Sequence, residues 1–250
     1  MVDYPANYNP NQPTELVIYA TPNGANVDHA FKANLVGSQT SQLRQSEAYS
    51  GKNLVVAYLS PDTRKWPTYL ASVQNGAFPL LNATREHVNS KLNPQSLSLS
   101  IEGFSGGGSF AFSLLNNLKE LPPDIHQINM YDAIYAYAGI MHAVKIKNWL
   151  ESNSSNRLVN ITGTPQIESK QTAFIEDLSK LGVKFSQSNG PGNTKVISAY
   201  NGRLKFTQIE GYSHEGTVKR NGFSYAHSPE FSIASKDEAS QTYQNLEKIA

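Results

Sequence analysis

Five residues, Gly103-Phe104-Ser105-Gly106-Gly107, carry the pattern G-x-S-x-G. The chemistry it suggests is nucleophilic. A serine on a tight strand-to-helix turn takes a strained backbone conformation that holds its hydroxyl clear of the surface. Small residues two before and two after Ser105 let strand and helix close on each other. The N-terminus of the following helix puts a positive dipole end near a developing oxyanion, and Gly106 N–H would be one donor to it. A glycine-rich turn with an incidental serine is the alternative reading. A phosphate loop fits less well, because no G-x-x-x-x-G-K-[ST] is present and Gly106-Gly-Gly108 lacks dinucleotide spacing.

A serine hydroxyl needs a general base at neutral pH. Four of the six histidines lie downstream: His126, His142, His214 and His227. His126 precedes a β-like run, at the wrong end of a strand. His142 falls in a helical pattern. His214 lies in the Gly-flanked stretch Gly211-Tyr-Ser-His-Glu-Gly216, after the last strong β-like run, and is the first choice. His227, in Tyr225-Ala-His-Ser-Pro229, is the runner-up base or a residue of the cleft.

A third group must orient the imidazole. Asp132 ends the run Ile128–Tyr131 and is preferred. Glu168 is the alternative acid, with Asp62, Glu215 or no acid at all behind it. Thr21-Pro-Asn23-Gly24 follows the first clear strand, and Asn23, Gly24 or Ala25 would add a second oxyanion N–H there. The Asn23 side-chain amide is a further donor, and a plain turn is the alternative.

These residues require a sheet to carry them. Strands are expected at 15–20, 53–59, 97–101, 128–131, 157–162, 195–200 and 203–209. Helices are expected around 69–73, at 80–92, through Phe110–Leu118, and at 140–150, 171–181 and 236–250. Pro122-Pro123 forbids continuation of the Phe110–Leu118 helix. Two β-like runs around Asn201-Gly202 predict a hairpin near the C-terminal part. Residues 1–13 read as an irregular lead-in, and no linker divides the chain, so one domain over 1–250 is expected. The alternation of strands and helices predicts an α/β fold with a mostly parallel central sheet.

Ordered along the chain, Thr21-Pro-Asn-Gly24, Gly103-Phe-Ser-Gly-Gly107, Asp132 and His214 resemble the α/β-hydrolase superfamily over roughly residues 15–216. The resemblance implies a Ser–His–Asp triad, an acyl-enzyme intermediate and no cofactor. It implies an esterase or lipase-like hydrolase acting on a small-molecule ester, with a peptidase or amidase on the same fold as the alternative. Two features depart from the common pattern. The slot after the 157–162 strand holds no carboxylate before Glu168, and a hairpin precedes His214.

Composition narrows the partners. The formal charge is +1, with 21 basic and 20 acidic groups, and no basic stripe suggests nucleic acid. No apolar run reaches the roughly 18 residues of a membrane span. There are no cysteines, which rules out thiolate catalysis and Cys-based zinc sites. No H-E-x-x-H or dense His/Asp cluster suggests a metal. An exported chain with its signal removed and a cytoplasmic chain are equally compatible, and oligomeric state is not legible. A non-catalytic binding protein on the same scaffold is the competing class. Phe31, Trp66, Tyr69, Phe78, Phe223, Tyr225 and Phe231 are candidates either to line an apolar acyl pocket or to pack in the core.

Overall fold

The computed structural model describes residues 1–33, 35–190, 194–211, 213–219 and 221–228. Its strands are β1 (Val2–Asp3), β2 (Thr14–Ala20), β3 (Asn53–Leu59), β4 (Leu97–Phe104), β5 (Ile125–Tyr131), β6 (Arg157–Thr162), β7 (Ser186–Gly190), β8 (Thr194–Ala199) and β9 (Leu204–Ile209). They form one sheet in the order β1-β3-β2-β4-β5-β6-β9-β8-β7. The strands from β3 to β9 in that order pair in parallel. β1 and the β8–β7 pair run antiparallel at the two edges. Residues 1–13 are therefore irregular only in part, because Val2 and Asp3 pair with Ala57 and Val56. The expected hairpin is present as β8–β9, closed by a helical turn at Tyr200–Gly202, and β7 extends it by a strand that the polar run 186–190 does not advertise.

The helices are α1 (Val36–Gln45), α2 (Trp66–Ser72), α3 (Phe78–Leu92), α4 (Gly108–Asn117), α5 (Ile140–Ser152), α6 (Pro165–Lys180), α7 (Gly216–Lys219) and α8 (Gly222–His227). None is long and apolar enough to cross a membrane among the described residues. Successive strand residues point to opposite faces, and both faces are covered. Leu16, Ile18, Ile101 and Ile128 pack with Trp66, Phe110, Leu114, Ile146 and Phe174 on one side. Val17, Tyr19, Val56 and Tyr131 pack with Val36, Leu43 and Phe223 on the other. α6 starts six residues before the expected Gln171, because Pro165 presets a helical φ at its first turn and Ile167 extends the buried stripe of Gln171, Phe174 and Leu178. The final helix expected at 236–250 lies outside the described residues, as does Phe231.

The parallel strands bring their carboxyl ends to one edge. The β4–β5 register pairs Gly103 with Met130 and Phe104 with Tyr131. Ser105 and Asp132 therefore leave adjacent strands side by side, the position where open α/β sheets place their ligands.

Candidate active site

Ser105 opens the helical turn Ser105–Gly107 that leads from β4 into α4. Its φ is 54°, in the left-handed region. A non-glycine residue held there costs about 1–3 kcal/mol, so the surroundings must impose it. Two glycines show how. A Cβ on Gly103 would lie 2.6 Å from Gly107 C and Gly108 N. A Cβ on Gly107 would lie 2.1 Å from the Ala20 carbonyl oxygen. The turn is thus wedged between its own strand and the end of β2, with Ser105 partly exposed at the top.

His214 stands in the loop between β9 and α7. Its Nδ1 lies 2.9 Å from Asp132 Oδ2. Its ring centroid lies 4.8 Å from that of Phe104, the residue before Ser105. The imidazole therefore lies beside the strand end that leads into the Ser105 turn, with its side chain 34% exposed. An ionised carboxylate only accepts, so Nδ1 carries the proton of this pair and Nε2 keeps a lone pair.

Asp132 is fully buried and also left-handed, with φ 46°. Its Oδ1 accepts the backbone N–H groups of Gly163 at 2.9 Å and Thr164 at 3.3 Å. The segment after β6, which lacks a carboxylate of its own, thus supplies donors that hold a carboxylate one strand away. Glu168 lies on α6 beside a cavity of about 240 Å³ lined by Thr162, Thr164, Gln208 and Gly211. The described hydrogen bonds pair His214 with Asp132 and not with Glu168.

Asn23 packs against the turn: a Cβ on Gly106 would lie 2.3 Å from Asn23 Cγ and Nδ2. Its Oδ1 accepts the Trp66 N–H at 2.9 Å, which fixes the amide orientation. Gly106 is the second residue of the helical turn, so its N–H has no partner within that turn. The expectation for Gly24 meets an obstacle, because its N–H already donates to the Arg64 carbonyl at 2.6 Å. Beside this loop is an open cavity of about 440 Å³ lined by Asn26, His29, Ser60, Asp62 and Arg64 among others.

His227, the runner-up base, is excluded from that role by its surroundings. Its side chain is 1% exposed, Nε2 bonds Glu102, and Nδ1 lies 2.8 Å from Tyr49 Oη. His126 lies within β5 and His142 within α5. Neither Asp62 nor Glu215 contacts His214 Nδ1 in the described hydrogen bonds. Of the described aromatic candidates for an acyl pocket, Trp66 and Phe223 are fully buried, and Phe31, Tyr69, Phe78 and Tyr225 are half-buried against the two apolar clusters. The sequence reading missed Tyr135, which is 42% exposed with its ring 6.4 Å from that of His214. Its position three residues after Asp132 was the available signal. Among the described residues no three His, Asp or Glu side chains are arranged to hold a metal ion.

No family model matches the chain, and no curated protein matches it by sequence. Solved structures do resemble it. A mutant of the feruloyl esterase module from Clostridium thermocellum, complexed with sinapinate, superposes with a TM-score of 0.63 at 15% identity, over 92% of this chain and 81% of that one. An acetyl xylan esterase from Aspergillus awamori gives 0.55 at 11% identity, over 85% and 87%. Both the strand order and these likenesses lead to one statement of kind: the chain has the α/β-hydrolase fold.

Proposed function

We propose that this protein is a serine hydrolase cleaving carboxylic esters, with Ser105 as nucleophile, His214 as general base and Asp132 as its orienting acid. The observation that carries the reading is the 2.9 Å bond from His214 Nδ1 to buried Asp132, made with the imidazole packed on Phe104, the residue before the strained Ser105 turn. Ser105 Oγ attacks the ester carbonyl as His214 Nε2 takes its proton. The tetrahedral oxyanion is met by Gly106 N–H and by Asn23, through its backbone N–H or its side-chain amide. Each such donor is worth about 3–4 kcal/mol in comparable sites. His214 then protonates the departing alcohol, leaving an acyl-Ser105 ester. Water attacks that ester, its proton passes to His214, and the acid leaves as the proton returns to Ser105 Oγ. Asp132 stays ionised throughout and stabilises the imidazolium.

The esterase identity of the structural neighbours favours esters over amides. The polar cavity lined by Gly24, His29, Ser60 and Asp62, next to the Asn23 turn, favours a short or hydrophilic substrate over a long acyl chain. The test is a panel of p-nitrophenyl esters of rising chain length beside aminoacyl and peptide anilides, run with a fluorophosphonate probe. Turnover of short esters and labelling that disappears in Ser105→Ala are expected. A wild type that is neither labelled nor active on any substrate would make the chain a non-catalytic protein on this scaffold. Faster anilide than ester turnover would make it an amidase.

A further inference from the structure

Beneath the carboxyl edge, the sheet encloses a second carboxylate–histidine centre that the proposed reaction does not use. Glu102 of β4 is fully buried. It accepts Asn129 Nδ2 at 2.8 Å and Tyr131 Oη at 2.8 Å, and it bonds His227 Nε2. On the other side of the imidazole, Nδ1 meets Tyr49 Oη at 2.8 Å and lies 3.4 Å from Glu15 Oε1. Glu15 in turn accepts Tyr49 Oη at 3.0 Å and Ser100 Oγ at 2.7 Å, with His126 Nε2 3.8 Å away. Burial disfavours the cation on His227, yet Glu102 and Glu15 outweigh it and raise its pKa. Burying such charges is costly before pairing, and apolar residues of similar volume often serve stability as well. The centre therefore calls for a role other than stability alone.

Its connections supply one. Glu102 lies on the strand that ends in Ser105. Asn129 and Tyr131 lie on the strand that ends in Asp132. His227 ends α8, in the segment that follows His214. α7 and α8 have only four and six residues, too short to hold themselves by helical bonds. Buried polar tethers hold them instead: Gln127 Nε2 donates to Ala226 O at 2.9 Å, Gln39 Nε2 to Val218 O at 3.0 Å, and Ser224 N to Gln39 Oε1 at 3.2 Å.

We propose that Glu102 and His227 form a positioning pair, which clamps α8 onto the nucleophile and acid strands and so fixes the loop carrying His214 over Ser105. This rests on the Ser105–His214–Asp132 reading. The test compares the wild type with Glu102→Gln, His227→Gln, the double Gln variant and Tyr49→Phe. Turnover of p-nitrophenyl acetate, the rate of fluorophosphonate labelling and thermal unfolding are measured on each. Folded single variants should lose at least about tenfold in kcat and in labelling rate, with KM changed less than about twofold. The double variant, which replaces the ion pair by two hydrogen-bonding amides, should recover most of that loss. A merely structural pair would lower Tm and leave kcat of the folded fraction intact, and that result would overturn the proposal. A double variant as slow as the singles would also overturn it, by tracing the effect to charge and not to the clamp. If the single variants do not fold, Tyr49→Phe decides, since it removes the hydroxyl that seats His227 against Glu102 and keeps both charges: slower turnover at unchanged KM supports the clamp, and wild-type turnover overturns it. A wild type that neither turns over nor labels would instead remove the triad reading, and the clamp with it.

Discussion

Two histidines of one chain segment each bond a buried carboxylate, and they are suited to opposite tasks. His214 has one nitrogen held by Asp132, the other makes no hydrogen bond among the described residues, and its side chain is 34% exposed. His227 has both nitrogens engaged and almost no contact with solvent. A base must give up and regain its proton in each cycle, so it needs a free lone pair within reach of substrate. A buried imidazole that two carboxylates hold in its charged form through neutral pH has no lone pair to offer there. The lesson is that a carboxylate–histidine pair does not by itself mark a catalytic site. The state of the second nitrogen decides.

The largest test of this contrast lies at the acids. Asp132→Asn should lower kcat by about 10⁴-fold, because an amide no longer enforces the Nδ1–H tautomer. Glu168→Gln should change steady-state turnover less than about twofold. The reverse outcome in the same assay would move the acid to α6. Next in size is the pH dependence of stability. His227 is raised to about 10 by Glu102 and Glu15 against the opposing effect of burial. A group whose folded pKa exceeds its unfolded value stabilises fully below the unfolded value and loses that contribution as pH climbs. Urea midpoints should therefore fall progressively from about pH 6.5 towards pH 10, and His227→Gln should flatten that slope. Glu15 acts at the other end. Burial raises its pKa, but the His227 contacts outweigh it and bring it down to about 2, so its contribution disappears as pH falls from about 4.5 towards 2. An alkaline slope unchanged in His227→Gln would place the responsible charge elsewhere. The smallest effect is expected at the rim. Tyr135→Ala should raise KM for aryl esters about threefold to fivefold with little change in kcat, as loss of one exposed contact worth about 1 kcal/mol would do. A fall in kcat alone would instead show that Tyr135 orients His214.

How much of this was legible follows from the same two centres. The Ser105 turn could be read because glycine spacing reflects a local backbone demand. Strands β2 and β3 could be read because their apolar runs are unbroken. The Asp132–His214 pairing depends on which strands become neighbours, and a single chain does not display that. The buried centre was hidden for another reason. Leu97-Ser-Leu-Ser-Ile101 alternates as if one face met water, and Glu102, Gln127 and Asn129 continue the polar set. That face is covered by α1 and α8, and Ser100, Glu102 and Asn129 are fully buried. Alternation here marks two different kinds of interior, one apolar and one hydrogen-bonded, and periodicity alone does not separate them from an exposed face.

The left-handed backbone at both Ser105 and Asp132 bears on how this protein would drift if the proposed chemistry were not required of it. Glycine accepts such a conformation without penalty, and asparagine accepts it more readily than most residues. Relief of about 1 kcal/mol corresponds to roughly 2–4 °C in a chain of this size. Ser105→Gly is therefore expected to melt a few degrees higher than the wild type while doing nothing, a shift that calorimetry would detect. A lineage released from catalysis would find inert, sturdier versions of itself one substitution away, so the serine's persistence in any sister sequence would itself be a trace of ongoing use.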